Sequence, residues 1–305
     1  MFTLAHSSDW HATDPSGSGL SPLLGKRFFG WLSWKIRRRR LHRPEVLEAL
    51  RRDLVEQRPD HLAVTGDLTH IALPQEFRQA ATQLEAFGTA EQVSLIPGNH
   101  DAYVAVPPDE AWDHWADYLR SDASTSPTAP TADAFPTLRV RGELALVGLC
   151  SAHPTPWFQA SGRLGAEQLE RLGRLLIELR ERDCFRVVMV HHPPLDPELS
   201  ARRELLDAAD LRAVLAESGA ELVLHGHRHH TRFEAVAGPD ALIPVVGTRS
   251  ASDVGERDEK RAQYHLFEIE NRAEAGPDRP RAVRLRVRGF DPASGEFRAE
   301  GERTL

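Results

Sequence analysis

Apolar residues recur along this chain with two alternating periods. Short apolar runs bounded by glycine, proline or polar clusters read as buried strands: Phe2 to Ser8, His61 to Thr65, Val93 to Ile96, Thr137 to Val140, Glu143 to Leu149, Arg186 to Val190 and Glu221 to Leu224. Between several of them the apolar positions move to helical spacing. Pro44 fits the first turn of a helix reaching about Gln57, with Val46, Leu47, Leu50, Leu54 and Val55 on one side. Pro74 opens a second through about Phe87, carrying Phe77, Ala80, Ala81, Leu84 and Phe87. Helices are also expected around Glu110 to Arg120, over about Ala166 to Arg182, and over about Ala208 to Ser218. Strand, helix, strand order predicts a parallel sheet covered by helices. Beyond residue 231 the pattern changes to strands without helices: Phe233 to Val236, Leu242 to Val246, Tyr264 to Ile269 and Ala282 to Arg288. These read as a second, largely antiparallel sheet, with Val283, Leu285 and Val287 on an edge strand. The expectation is an α/β fold of two sheets packed face to face with helices outside.

Composition narrows this picture. A chain of 305 residues with 41% hydrophobic content suits one layered domain over 1–305, with an insertion at 15–43 and a β-rich C-terminal part at 231–305. Cys150 and Cys184 have no C-x-x-C partner or metal spacing and read as buried, reduced thiols. The chain enters its first strand without a basic-then-apolar leader and has no apolar run of about 20 residues, so a cytoplasmic location is expected. Net charge is −7, but eight of the 38 Lys and Arg residues fall within 26–43, which has no Asp or Glu. The remainder sets 30 basic residues against 45 acidic ones, a net of −15. That balance disfavours a generic nuclease or nucleic-acid binder, which must neutralise phosphates.

The chemistry is concentrated where strands end. Val93 to Ile96 runs into Pro97-Gly98-Asn99-His100-Asp101, and four other strands do the same: the first into Asp9-Trp10-His11, the second into Gly66-Asp67, and two later ones into His191-His192 and Gly226-His227-Arg228-His229. Strand carboxyl ends are where α/β proteins place their sites. The collected donors are Asp9, His11, Asp67, Asn99, His191, His227 and His229, a mixed oxygen and nitrogen set without sulfur. Mn, Fe, Ni or Zn suits such a set better than Ca or Mg does. Seven donors exceed what one ion takes and suit two, with Asp67 on a central strand as the natural bridge. Two ions about 3.5–4 Å apart clamp the entering and leaving oxygens of phosphoryl transfer, so phosphoester hydrolysis is the chemistry expected.

Asp9-x-His11, Gly66-Asp67, Gly98-Asn99-His100-Asp101, His191 and Gly226-His227-x-His229 resemble, in order, the five motifs of the calcineurin-like metallophosphoesterases. The resemblance implies a four-layer α/β/β/α sandwich of two mixed sheets with a dinuclear site at strand carboxyl ends. It implies Asp9, His11, Asp67 and His229 on one ion and Asp67, Asn99, His191 and His227 on the other, with a hydroxide bridging the two as nucleophile. His100 would stabilise the phosphate or protonate the leaving oxygen, and Asp101 would hydrogen-bond His100. The motif set is most similar to bacterial class III cyclic-nucleotide phosphodiesterases and their relatives, so phosphodiester hydrolysis is the expected activity. Purple acid phosphatases carry a tyrosine where this chain has His70, and the lipid A pyrophosphatases usually carry arginine where it has His100. A non-catalytic metal-binding module would normally have lost one of these residues.

A hydrolase of a lipid-linked phosphodiester or pyrophosphate, peripheral at the inner membrane face, is the alternative, and residues 26–43 motivate it. As a helix, Lys26 to Arg43 places Phe28, Trp31, Leu32 and Ile36 on one side with Phe29 adjacent and Trp34 off that face. Lys26, Arg27, Lys35, Arg37, Arg38, Arg39, Arg40 and Arg43 supply the charge. An anionic membrane surface, a lid over the site and an ordinary solvated helix all fit this pattern.

Overall fold

The structure is a computed structural model, which describes residues 1–305 apart from 18, 20–22, 24, 125, 196–199 and 277–278. The D-P-S-G-S-G-L-S-P loop that begins the insertion lies partly outside the described residues. In chain order, β1 (Phe2–Ser7) leads to the insertion, whose helix runs as α1 (Lys26–Ser33), a π-helical segment (Trp34–Arg38) and a closing turn α2 (Arg39–Leu41). There follow α3 (Pro44–Gln57), β2 (His61–Val64), α4 (Pro74–Phe87), β3 (Val93–Leu95), α5 (Ala116–Leu119), β4 (Thr137–Arg141), β5 (Leu144–Gly148), α6 (Ala166–Glu181) and β6 (Phe185–Met189). The chain ends with α7 (Ala208–Ser218), β7 (Leu222–His225), β8 (Arg232–Ala237), β9 (Leu242–Gly247), β10 (Gln263–Ile269), α8 (Arg272–Ala275), β11 (Val283–Asp291) and β12 (Glu296–Thr304). The helix expected around Glu110 to Arg120 is broken into short 3₁₀ turns before α5. Trp112 donates to the Asp101 carbonyl and Trp115 to that of Phe77, tertiary anchors that outweigh local helical spacing.

Two six-stranded sheets form, ordered β12-β11-β10-β1-β2-β3 and β4-β5-β6-β7-β9-β8. β1, β2 and β3 are parallel, as are β5, β6, β7 and β9. The strands after residue 231 therefore do not make a sheet of their own. β8 and β9 extend the second sheet, whereas β10 pairs antiparallel with the free side of β1 and carries β11 with it. β11 is not an edge, because β12 pairs with it. β12 reads E-F-R-A-E-G-E-R-T; Phe297 alone is buried along it, so no hydrophobic alternation announced this strand.

Alternation along each strand explains the layering. Leu4, Ala63, Val187, Met189, Leu222 and Leu224 meet between the sheets. Their neighbours Ala5, Leu62 and Val64 pack under α3 and α4 through Leu50, Phe77 and Leu84. Val188 and Val223 pack under α6 and α7 through Leu172, Leu176, Leu211 and Leu215. Cys150 is buried as expected, while Cys184 is half-buried, and both are free thiols.

Glu76 fixes the start of α4 close to the site. Its fully buried carboxylate accepts the N–H groups of His70 at 2.8 Å, Ile71 at 3.1 Å and Leu73 at 3.0 Å, and the Thr13 hydroxyl at 2.8 Å. Burial raises its pKa, and these donors oppose that rise. The charge sits at the positive end of the helix dipole and ties the segments after β1 and β2 together. Glu76→Ala would orphan these donors and is expected to lower stability by about 3 kcal/mol or more, read as a shifted urea midpoint. Glu76→Gln, which keeps acceptors in place, should lose less.

Candidate metal centre

All seven donors singled out in the sequence come together beyond the C-terminal ends of β1, β2, β3, β6 and β7. Asp9 Oδ1 lies 3.1 Å from His229 Nε2. Asp67 Oδ2 stands 3.7 Å from His11 Nε2 and 3.3 Å from His191 Nε2. Asn99 Oδ1 is 3.1 Å from His191 Nε2 and 2.8 Å from His227 Nδ1. One carboxylate thus faces both groups of donors.

The backbone is bent sharply to achieve this. Asp9, His11, Asp67, His227 and His229 have φ of +53°, +41°, +58°, +69° and +50°. Left-handed geometry at residues with a Cβ costs on the order of 1–3 kcal/mol each and persists where the surroundings over-determine it. It lets the chain reverse immediately past each strand while side chains two positions apart still reach the same site. Two glycines make the reversal fit. A Cβ on Gly66, itself at φ +92°, would overlap the backbone of Gly98, and a Cβ on Gly98 would overlap Asp67.

Hydrogen bonds select the ring nitrogens. With carbonyls as acceptors, His11 Nδ1 donates to Thr69 at 2.8 Å, His191 Nδ1 to Thr65 at 2.6 Å and His227 Nε2 to Arg203 at 2.9 Å. Each leaves the opposite nitrogen, the one facing the other donors, with a free lone pair. Asp101 departs from the expectation, because it does not hydrogen-bond His100. Its carboxylate instead accepts N–H from Asp67 at 2.8 Å, Leu68 at 3.0 Å, Thr69 at 3.0 Å and Gly98 at 2.9 Å, and the Thr69 hydroxyl at 3.1 Å. Asp101 is a positioning residue for the Asp67 tip, and backbone amides outcompete the imidazole for it.

His100 is oriented by other groups. Its Nδ1 donates to the His70 carbonyl at 2.5 Å, and Nε2 lies 3.1 Å from the Arg38 guanidinium. Burial and the Arg38 charge hold the ring's pKa well below the ordinary histidine value. Arg38 was counted in the sequence only as part of a basic run. It belongs to the π-helical segment, whose extra residue per turn re-aims side chains and which often marks functional positions. His42, whose ring lies 4.9 Å from that of His11, and Arg203 likewise line the site and were not singled out. A signal existed for Arg38: Gly30, Trp34, Arg38 and Leu41 follow helical spacing and form the inner face that the apolar stripe does not. His192 is buried between the Ser151 hydroxyl and the Ala160 carbonyl, and His230 meets Lys260. His6 bonds Thr65, whose carbonyl holds His191.

The donor set fits two transition-metal ions. Donors about 2.1 Å from one ion at right angles stand about 3 Å apart, the spacing seen here among Asp9, His229, Asn99, His191 and His227. Asp9 Oδ1 is buried without a hydrogen bond, and the carboxylates raise the pKa of His191 to about 9 against the effect of burial. Such a site is short of positive charge. Asp67→Ala should therefore abolish binding of both ions and Asn99→Ala should lose one, whereas Arg38→Ala should leave two, as counted by elemental analysis of purified protein.

Comparison with known proteins agrees with this geometry. The profile of the calcineurin-like phosphoesterases matches residues 2–231. A dimetal phosphatase from Danio rerio superposes with a TM-score of 0.57 at 11% identity, covering 98% of this chain and 98% of its own. Purple acid phosphatase PPD1 from yellow lupin gives 0.60 at 11% identity over 99% of this chain, which spans about half of the lupin protein, 53%. These likenesses are of fold. No curated protein matches the chain in sequence. With its ordered motifs, packed sheets and shared carboxylate between two donor groups, the chain belongs to the calcineurin-like phosphoesterase family.

Proposed function

We propose that this metal-dependent phosphoester hydrolase acts on phosphodiesters. The observation that carries the reading is a pair of cavities that meet at the donors. One, of about 370 Å³, lies between the insertion helix and the 157–160 segment, lined by Lys26, Phe29, Tyr103, Trp157 and Phe158. The other, of about 410 Å³, opens past His42, His227, His229 and Lys260. They share Ser33, Arg38, Asn99, His100, Ala160 and Arg203. A phosphorus atom at that junction has room for a substituent on each side, as a diester requires and a monoester does not.

Two ions held by the donors would supply Lewis acidity and an activated water. The chain's own groups do the rest. Arg38 donates to a non-bridging phosphoryl oxygen through charge-assisted hydrogen bonds and neutralises part of the charge that builds on phosphorus. His100, fixed by the His70 carbonyl, presents Nε2 to the same junction. An arriving phosphodiester anion takes the Arg38 N–H away from Nε2 and favours the imidazolium, which forms as the freed Nε2 takes up a proton from solvent. As the P–O bond breaks, the Nε2 proton passes to the leaving oxygen. A second reading, a lipid-linked diester or pyrophosphate, is favoured by the aromatic lining of the first cavity, Phe29, Trp157 and Phe158.

Chelated protein should be inactive on bis(p-nitrophenyl) phosphate, and Mn²⁺ or Fe²⁺ should restore turnover; undiminished activity without metal, checked by elemental analysis, overturns the metal requirement. Faster hydrolysis of p-nitrophenyl phosphate than of the diester would overturn the diesterase reading. His100→Ala should lower kcat about 10²–10⁴-fold with metal content retained. Arg38→Ala should lower kcat/KM about 10–100-fold, in keeping with loss of one charge-assisted hydrogen bond, and Arg38→Lys should recover part of it.

A further inference from the structure

The insertion helix is built inside out. Its inner face is Arg27, Gly30, Trp34, Arg38 and Leu41. Arg27 donates to the carbonyls of Ile71 and Ala72, Gly30 packs so closely that a Cβ would overlap Ile71 and Tyr103, and Trp34 and Leu41 are buried. The outer face carries most of the apolar stripe: Phe28, Phe29, Leu32 and Ile36 are 46%, 42%, 37% and 63% exposed, whereas Trp31 is half-buried against the Ile71 and Leu73 cluster. A helix on a globular protein normally turns such a stripe inward.

A second segment, distant in sequence, enlarges the patch. Trp157 and Phe158 are 53% and 71% exposed, with rings 5.4 and 5.7 Å from that of Phe29. Exposed aromatics from two segments meeting at the mouth of a catalytic cavity mark an interaction surface. Charge identifies the partner. Lys35, Arg37, Arg39 and Arg40 are exposed beside the stripe, and residues 26–43 contain no Asp or Glu, on a chain whose remainder is strongly acidic. A cationic rim around aromatic and aliphatic side chains complements an acidic lipid surface, where bulky apolar groups enter the acyl boundary and the charges meet headgroups. A second copy of the chain would bring like charges together. Among the described residues no helix is long and apolar enough to cross a membrane.

We propose that this face docks in the plane of a bilayer containing anionic phospholipid. It seats the mouth of the cavity lined by Lys26, Phe29, Trp157 and Phe158 at headgroup depth, so that an amphiphilic phosphodiester enters without leaving the membrane. The substrate part rests on the phosphodiesterase reading; the docking does not.

Flotation of the metal-loaded, full-length protein with vesicles of phosphatidylcholine alone, or with phosphatidylglycerol added, tests it. The protein should float with the anionic vesicles at low salt, and at least about tenfold less with neutral ones or at high salt. A Phe28→Ser, Leu32→Ser, Ile36→Ser variant and a Lys35→Ser, Arg39→Ser, Arg40→Ser variant should each lose flotation by a similar factor, while keeping wild-type turnover of a soluble diester, which shows that they are folded. Wild type that stays at the bottom with both vesicle types overturns the docking, as does equal flotation by either variant or a dimer in sedimentation that these substitutions dissolve. Flotation without any diester turnover leaves the docking standing and removes the phosphodiesterase reading.

Discussion

The carboxylate of Asp101 accepts four backbone N–H groups and one hydroxyl, and those donors belong to the loops that follow β2 and β3. Neighbouring parallel strands fix where their ends lie but not the path of the chain beyond them. A charge buried among amides does so, because losing any of these bonds would leave it unsatisfied where water cannot replace them. Gly66 and Gly98 allow the two loops to touch, and Asp67 is thereby aimed between the two donor groups. Burial and the nearby Asp67 carboxylate raise the Asp101 pKa, and the amide donors oppose that rise. Cations on Asp67 would remove the Coulombic part of this cost, so the metals and the loop architecture support one another.

The same coupling extends through the histidines. Each proton donated to a carbonyl on the far side of a ring decides which nitrogen faces the site, so the scaffold sets ligand chemistry as well as position. Left-handed backbone at five of the seven donors shows how far local preference yields to this arrangement. Glu76 repeats the device one layer out, a buried carboxylate organising the loop that carries His70, whose carbonyl in turn orients His100.

The insertion brings a different kind of group to the same junction. Its π-helical segment turns Arg38 inward next to His100 while Phe28, Leu32 and Ile36 turn outward. One helix therefore adds a guanidinium beside His100 to the site and an apolar, cationic rim to its entrance. Both follow from which side of the helix packs on the Ile71, Leu73 and Tyr103 cluster.

Much of this was legible in the chain alone. Short apolar runs and the helical period gave the parallel strands and their helices, because a strand covered on both faces is apolar throughout and a helix covered on one face repeats every 3.6 residues. The donors could be named because metal ligation demands particular side chains, and those clustered at strand ends. Pairing was not legible: β8 and β9 joined one sheet and β10 to β12 the other, since which free edge a strand finds depends on the closed three-dimensional arrangement. Sequence adjacency pairs Asp101 with His100 for the same reason, because three of the four amides it binds are 32 to 34 residues away in sequence. Arg38 shares helical spacing with Gly30, Trp34 and Leu41, but that this side of the helix turns toward the site depends on how the helix packs. The sequence by itself determined the residue types and periodicities on which the site and core draw, because these are properties of single side chains and their spacing. Only the tertiary structure decided edge pairing, hydrogen-bond partners and the inward face of the insertion helix, because these depend on the geometry between distant segments.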